Sequence, residues 1–108
     1  MKYAISTFWR ARADIDQIYA WIAERSPEGA ARWNEALEHA IDQLRSGADT
    51  FSAAPESANL GGEVRQILFK TRRGGHYRVI YTLAGSVVRL LRVRGPGQSQ
   101  ITADDIAE

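Results

Sequence analysis

The 108-residue sequence contains no cysteine, only two histidines and three prolines, and no long apolar run. Without cysteine the chain has no disulfide, no thiol nucleophile and no thiolate metal ligand. His39 and His76 lie far apart in sequence, so they do not have a metal-ligand spacing. No segment approaches the roughly 20 apolar residues of a membrane-spanning helix, and charges come too early for a signal peptide. We therefore expect a cytoplasmic protein without a metal, a cofactor or a membrane partner.

Positive charge is concentrated in one stretch. The net charge of the chain is only +1, yet residues 63–94 carry eight basic residues and a single acid, Glu63. The basic residues are Arg65, Lys70, Arg72, Arg73, Arg78, Arg89, Arg92 and Arg94. Such a stretch predicts a surface that meets nucleic acid, phosphate or an acidic protein. A solvated sheet face without a binding role is the simpler alternative.

The order of strand and helix patterns predicts one α+β domain, since the chain is too short for two. The first helix follows Ser6 or Thr7 as N-cap, and the second begins at Ser26-Pro27. Strands are predicted at 2–7, 64–70, 76–83 and 86–94, and helices up to about residue 25 and from 27 to 46. The resulting order is β-α-α-β-β-β, with a helical hairpin packed on one face of a small, mainly antiparallel sheet and the other face free. We expect the domain to span residues 1–95 and residues 96–108 to form a flexible C-terminal tail.

Alternation along the middle strand predicts which side chains the helices cover. The apolar face of that strand consists of Tyr77, Val79, Tyr81 and Leu83. This assignment leaves His76 and Arg78 on the free face. Tyr19, Trp33 and Tyr81 are accordingly expected in the core.

Neighbouring strands extend the predicted free face. If Arg65 lies beside Arg78, then Ile67 and Phe69 also fall on the free face. In the last strand Arg92 and Arg94 share a face that Arg89 does not, unless a β-bulge intervenes. Trp9 and Trp21 lie beside the apolar stripe of the first helix, and exposed Trp is a usual anchor for a partner. The predicted partner-binding residues are Arg65, Ile67, Phe69, Arg78, Arg92, Arg94, Trp9 and Trp21.

Several short motifs occur in a fixed order along about residues 2–95. They are Ala11-x-x-Asp14-Ile15-x-x-Ile18, Ser26-Pro27, Gly62–Leu68, His76-Tyr77-Arg78-Val79-Ile80-Tyr81 and Val87–Val93. Together they resemble the RelE/ParE family of toxins from type II toxin–antitoxin (plasmid stabilization) systems, and the fourth looks like that family's YRVxY strand. The resemblance implies a cognate antitoxin as partner, in a homo- or hetero-oligomer.

The resemblance implies one of two activities. RelE-like toxins cut mRNA on the ribosome without a metal, using basic residues and often a tyrosine, whereas ParE-like toxins inhibit DNA gyrase by protein contact. RNA cleavage requires activation of a 2′-oxygen, neutralisation of the phosphorane and protonation of the leaving oxygen. If the chain is an RNase, its candidate catalytic residues are Arg65, Arg78 and His76.

Three departures from the RelE pattern favour the ParE-like side. Ile67 stands where a second base is usual, Arg94-Gly95-Pro96-Gly97 replaces a run with a further arginine, and residues 95–108 contain no Tyr or His. We therefore expect a gyrase inhibitor that acts by binding and is not an enzyme. The alternatives are an mRNA endonuclease that works on the ribosome and a non-toxic remnant that only binds the antitoxin.

Overall fold

A computed structural model describes residues 2–58, 63–72 and 74–96 of the chain, so residues 97–108 of the predicted tail lie outside the described residues. The elements are β1 (Ala4–Thr7), α1 (Trp9–Arg25), α2 (Pro27–Gly47), short 3-10 helices at Ala48–Thr50 and Pro55–Ala58, β2 (Arg65–Lys70), β3 (His76–Ala84) and β4 (Val87–Arg94). The strand order is β1-β4-β3-β2, with β1 parallel to β4 and the other pairs antiparallel. The predicted α+β architecture is therefore confirmed. In the described ranges, no helix is long and apolar enough to cross a lipid bilayer.

The two helices begin in different ways. At α2 the Gly29 N–H donates to Ser26 Oγ over 2.9 Å, and Pro27 occupies the first turn, as the sequence predicted. At α1 the prediction of Ser6 or Thr7 as N-cap was wrong, because the N-cap is Phe8 and no side chain caps it. Strand β1 runs to Thr7 and the Phe8 N–H donates to Leu90 O, so a single residue separates strand from helix.

The main core lies between the helical hairpin and one face of the sheet. Trp33, Phe69 and Tyr77 form an aromatic cluster with ring centroids 5.5 to 5.9 Å apart. Such ring contacts stabilise the core beyond the effect of burying apolar surface. Burial of Trp33 and Tyr81 confirms their predicted core positions. Tyr19, which was also expected in the core, is 43% exposed.

The register of β2 overturns part of the predicted free face. Arg65 pairs with Tyr81, Ile67 with Val79 and Phe69 with Tyr77. Directly opposed residues point to the same side of a sheet, so Arg65, Ile67 and Phe69 lie on the helix-covered face. Because side chains alternate, a one-residue error in register moves every side chain of the strand to the other face. Gln66, Leu68 and Lys70 therefore share the second face with Arg78.

A bulge in β4 resolves the position of its arginines. The pairing steps from Ile80↔Arg92 to Tyr81↔Leu90, which leaves Leu91 as an extra residue. This extra residue shifts the alternation of side chains in β4 by one position. Arg89, Arg92 and Arg94 therefore all lie on the second face, opposite Thr82, Ile80 and Arg78 respectively. The β-bulge that was the condition for all three to share a face is therefore present.

The second face of the sheet is also partly covered. Residues 51–58, here called the strap, run beside β2, where the Ala54 N–H donates to Val64 O and the Gln66 N–H to Ser52 O. Ala54 packs with Val64, Ile80 and Leu91 in a second, smaller apolar cluster. Ile80 is 0% exposed as a result. The strap, which the sequence predicted as plain loop, makes the face less open than expected.

Candidate functional site

Arg78 lies on the second face as predicted, but its guanidinium is held within the protein. Nη1 donates to Glu56 Oε1 at 3.0 Å and to Gln66 Oε1 at 2.9 Å, and Nη2 donates to Glu56 Oε2 at 2.7 Å. The Glu56 side chain is 0% exposed and that of Arg78 is 20% exposed. This is a bidentate, charge-assisted pair in a largely dry setting.

The strap places Glu56 opposite Arg78. Pro55 opens a short 3-10 helix, in which the Ser57 N–H donates to Ala54 O over 3.0 Å. Ser57 Oγ accepts from the Val64 N–H at 3.2 Å, so the strap is fixed on both sides of Glu56. The carboxylate is therefore positioned by backbone contacts that are independent of Arg78.

Arg92 is paired in a similar way, with Asp14 of α1. Arg92 Nε and Nη2 donate to the two carboxylate oxygens at 2.7 and 2.8 Å, and the Val93 N–H donates to Asp14 Oδ2 at 2.9 Å. Strand β1 ends at Thr7, so the last residues of β4 have no neighbouring strand on that edge. Asp14 takes the place of that strand by accepting a backbone hydrogen bond.

Arg65 sits at the edge of the helix-covered face with its charge also compensated. Its Nη1 donates to Phe51 O at 2.5 Å, and Nη2 forms an ion pair with Glu63. Arg65, Arg78 and Arg92, which the sequence suggested for binding or catalysis, thus each pair with a carboxylate of the same chain. The partners of Arg78 and Arg92 are buried, whereas Glu63 is mostly exposed.

The tyrosines of β3 are not ionised near neutral pH and so cannot serve as general bases there. The Tyr81 hydroxyl donates to Ala48 O over 2.6 Å, and burial raises the pKa of Tyr81 to about 12. Burial also raises the pKa of Tyr77. Both phenols therefore stay protonated where a general base would have to be ionised.

The other predicted site residues are scattered. His76 is exposed at the start of β3, and Arg94 lies opposite Arg78 across the β3–β4 pair. Trp9 and Trp21 are 55% and 58% exposed at different turns of α1. Arginine guanidinium groups lie over both indoles, Arg10 at 4.8 Å and Arg25 at 3.8 Å from the ring centroids, in cation–π geometry.

A groove of about 1190 Å³ lies between the α1–α2 turn and the β2–β3 turn. Its lining combines aromatic and aliphatic side chains with two arginines: Ile18, Trp21, Ile22, Arg32, Trp33, Arg72, Tyr77 and Pro96. No acidic side chain is among the described residues that line it. Among all the residues that the structure describes, no group of three His, Asp or Glu side chains is arranged to hold a metal ion.

Sequence reasoning missed the two carboxylates that organise the second face. The position of Asp14 could have indicated its role, because it stands three residues after Ala11 and four before Ile18, the spacing of residues on one face of a helix. An acid at such a position predicts a buried partner. Glu56 carried no such signal, since it lies in a loop without periodicity and meets Arg78 only through the tertiary fold.

Comparison with known proteins adds three findings. A family model described as "ParE toxin of type II toxin-antitoxin system, parDE" matches residues 9–99. The chain is 29% identical over 93 residues to Toxin RelE1 of Caulobacter vibrioides, covering 86% of this chain and 92% of that protein. A solved structure of the chromosomal ParDE TA system from P. aeruginosa matches the fold with a TM-score of 0.67 at 19% identity, over 87% of this chain and 96% of the other.

Proposed function

Because the chain belongs to the ParE toxin family of type II toxin–antitoxin systems, we propose that it inhibits DNA gyrase by protein contact and that a cognate antitoxin neutralises it. Family membership implies the antitoxin partner. Gyrase as target and binding as mode of action are the proposed parts. The observation that carries them is the internal pairing of the arginines.

An RNase of this fold would have to present Arg78 to a phosphate. The bidentate grip of Glu56 uses both terminal nitrogens of that guanidinium, and Gln66 takes a further hydrogen bond. An approaching phosphate would meet the negative charge of Glu56. Pulling Arg78 away would break a buried, bidentate ion pair, which costs on the order of 3–5 kcal/mol.

Proton transfer is equally poorly served. General acid and base groups typically contribute 10²–10⁴-fold each, yet the phenol of Tyr81 is buried and bonded to Ala48 O. His76 is exposed, but Arg78, its neighbour on the same face, is committed to Glu56. These arrangements support a toxin that binds its target.

Exposed apolar side chains are the better candidates for contact with a partner protein. Trp9, Trp21 and Leu68 are each more than half exposed, and buried-on-binding aromatic residues dominate many interfaces. We infer that at least one of the two tryptophans anchors gyrase or the antitoxin. Ile67 and Phe69, which the sequence suggested for this role, are core residues and do not reach the surface of the domain.

Two assays with the purified protein test the proposal. We expect inhibition of DNA supercoiling by gyrase and intact mRNA in a translating extract. Cleavage of mRNA at codon boundaries, with supercoiling unaffected, would replace the proposal with the RelE-like activity. Inactivity in both assays, with antitoxin binding intact, would identify a non-toxic remnant.

Single substitutions localise the contact. Trp9→Ala and Trp21→Ala should each be compared with Arg12→Ala, an exposed position on the same helix. A hot-spot tryptophan should cost at least about 2 kcal/mol of binding, roughly 30-fold in Kd. Unchanged affinity in both tryptophan variants, for gyrase and for the antitoxin encoded beside the toxin gene, would exclude this surface.

A further inference from the structure

The groove has the size and chemistry of a peptide site. At about 1190 Å³ it is larger than the roughly 300–1,000 Å³ of most small-molecule pockets. Trp21, which is 58% exposed, and Tyr77 line it with aromatic surface, while Arg32 and Arg72 supply positive charge. Among the residues that the structure describes, neither arginine has an ion-pair partner. A complementary segment would combine apolar and acidic side chains.

The described part of the chain reaches this groove at its last two residues. Gly95 and Pro96 form part of the lining. Pro96 lies directly on the β2–β3 turn, because a Cβ added to Gly75 would come within 2.3 Å of Pro96 Cγ. The sequence continues from there with residues 97–108. Twelve residues can reach up to about 40 Å when extended, which is ample to follow the groove.

The composition of that segment matches the groove. Residues 97–108 contain three acids and no basic residue, and two isoleucines interrupt the polar sequence. The acids are Asp104, Asp105 and Glu108, and the isoleucines are Ile101 and Ile106. A segment tethered at the rim of its own site binds at a high effective concentration, so modest contacts suffice.

We propose that residues 98–108 dock in cis into the groove, with their isoleucines over the aromatic surface of Trp21 and Tyr77 and their carboxylates toward Arg32 and Arg72. The docked segment covers the aromatic surface of the groove and compensates two arginines that have no carboxylate partner among the described residues. This inference does not depend on whether the toxin acts on gyrase.

A spin label provides the test, because the absence of cysteine allows one engineered thiol to be labelled. The full chain carrying Ala107→Cys is labelled and the line broadening of ¹⁵N-bound protons is measured. We expect loss of signal at Gly29, Gly75 and the Trp33 indole, which line the groove. Gly85 at the far end of β3 and Gly47 at the far end of α2, about 30 Å along the helix, should keep their signals.

Charge reversal sharpens the test. Arg32→Glu combined with Arg72→Glu should abolish the selective broadening, as should about 1 M salt, which screens exposed charges. Adding Asp104→Arg and Asp105→Arg to the variant with both groove arginines reversed should restore the selective broadening. The control Arg12→Glu should leave the broadening of the original protein unchanged. Far-UV circular dichroism checks that each variant is folded.

Three results would overturn the proposal. Uniform or absent broadening would show that the segment does not reside in the groove. Selective broadening that survives both charge reversal and salt would remove the role assigned to Arg32 and Arg72. Equal broadening in a mixture of labelled ¹⁴N protein and unlabelled ¹⁵N protein would show docking between two copies instead of within one chain.

Discussion

The pair between Glu56 and Arg78 makes the sharpest prediction about this protein. Arg78→Ala removes a guanidinium that makes two short contacts with a carboxylate at 0% exposure. Breaking a buried ion pair by removing one of its members costs about 3–5 kcal/mol. Since a domain of this size is stable by roughly 5–15 kcal/mol, the variant should lose a large part of its stability, and its Tm should fall by more than about 10 °C.

The reverse substitution should be milder. Glu56→Ala leaves Arg78 with its bond to Gln66, and the Arg78 side chain is already 20% exposed, so it can turn toward water. The double variant has neither charge of this pair. We expect it to be more stable than Arg78→Ala by at least about 1 kcal/mol. The coupling energy of the pair must then exceed the cost of Glu56→Ala by that amount, and coupling energies between residues in contact are roughly 0.5–3 kcal/mol.

Urea unfolding followed by circular dichroism gives the four free energies of unfolding of this cycle, provided that the m-value stays constant. Arg45→Ala is the matched control, because Arg45 pairs with Asp42 on the exposed side of α2 and should contribute less than about 1 kcal/mol. The reasoning is refuted if the double variant is no more stable than Arg78→Ala. It also fails if Arg78→Ala costs no more than the control, since Glu56 would then be solvated.

Three further predictions concern the rest of the sheet. Asp14→Ala should destabilise the protein by about 3–5 kcal/mol, because the Arg92 guanidinium and the Val93 N–H both lose the hydrogen bond to Asp14. Thermal unfolding tests this, and a Tm that barely changes would show that the pair is exposed to water. The pKa of Tyr81 is raised from 10.0 to about 12, so the stability that its protonated phenol contributes is complete below pH 10 and is lost as the pH rises through 12. Tyr81→Phe should therefore weaken the dependence of the unfolding free energy on pH in this range, and an unchanged dependence would contradict the prediction. Ile67→Ala should lower the free energy of unfolding by about 2–5 kcal/mol, whereas Leu68→Ala, at a site that is 56% exposed, should change it by less than about 0.5 kcal/mol. The opposite ranking in urea unfolding would show that the register of β2 is shifted by one residue.

The candidate site was only partly predictable. Placing Arg78 on the second face was correct because its strand has an unambiguous apolar side, Tyr77, Val79 and Tyr81. Placing Arg65 with it was wrong, because no local signal fixes how two strands align. The partners Glu56 and Asp14 stayed hidden because each meets its arginine across a long stretch of sequence.

Local sequence determined the elements themselves. The apolar stripe of α2 and its start at Ser26-Pro27 follow from side-chain spacing and backbone capping, which act within a few residues of each other. The order β-α-α-β-β-β follows from the same short-range signals. These features need no knowledge of what lies elsewhere in the chain.

Tertiary structure decided what the basic stretch from Glu63 to Arg94 presents to other molecules. The register of β2, the bulge at Leu91 and the path of the strap depend on contacts between distant segments. They bring acids from outside that stretch against Arg78 and Arg92, so two of its eight positive charges are compensated in space by acids that are distant in sequence. Coulomb energy depends on the distance between charges in the folded protein, and that distance is set by packing.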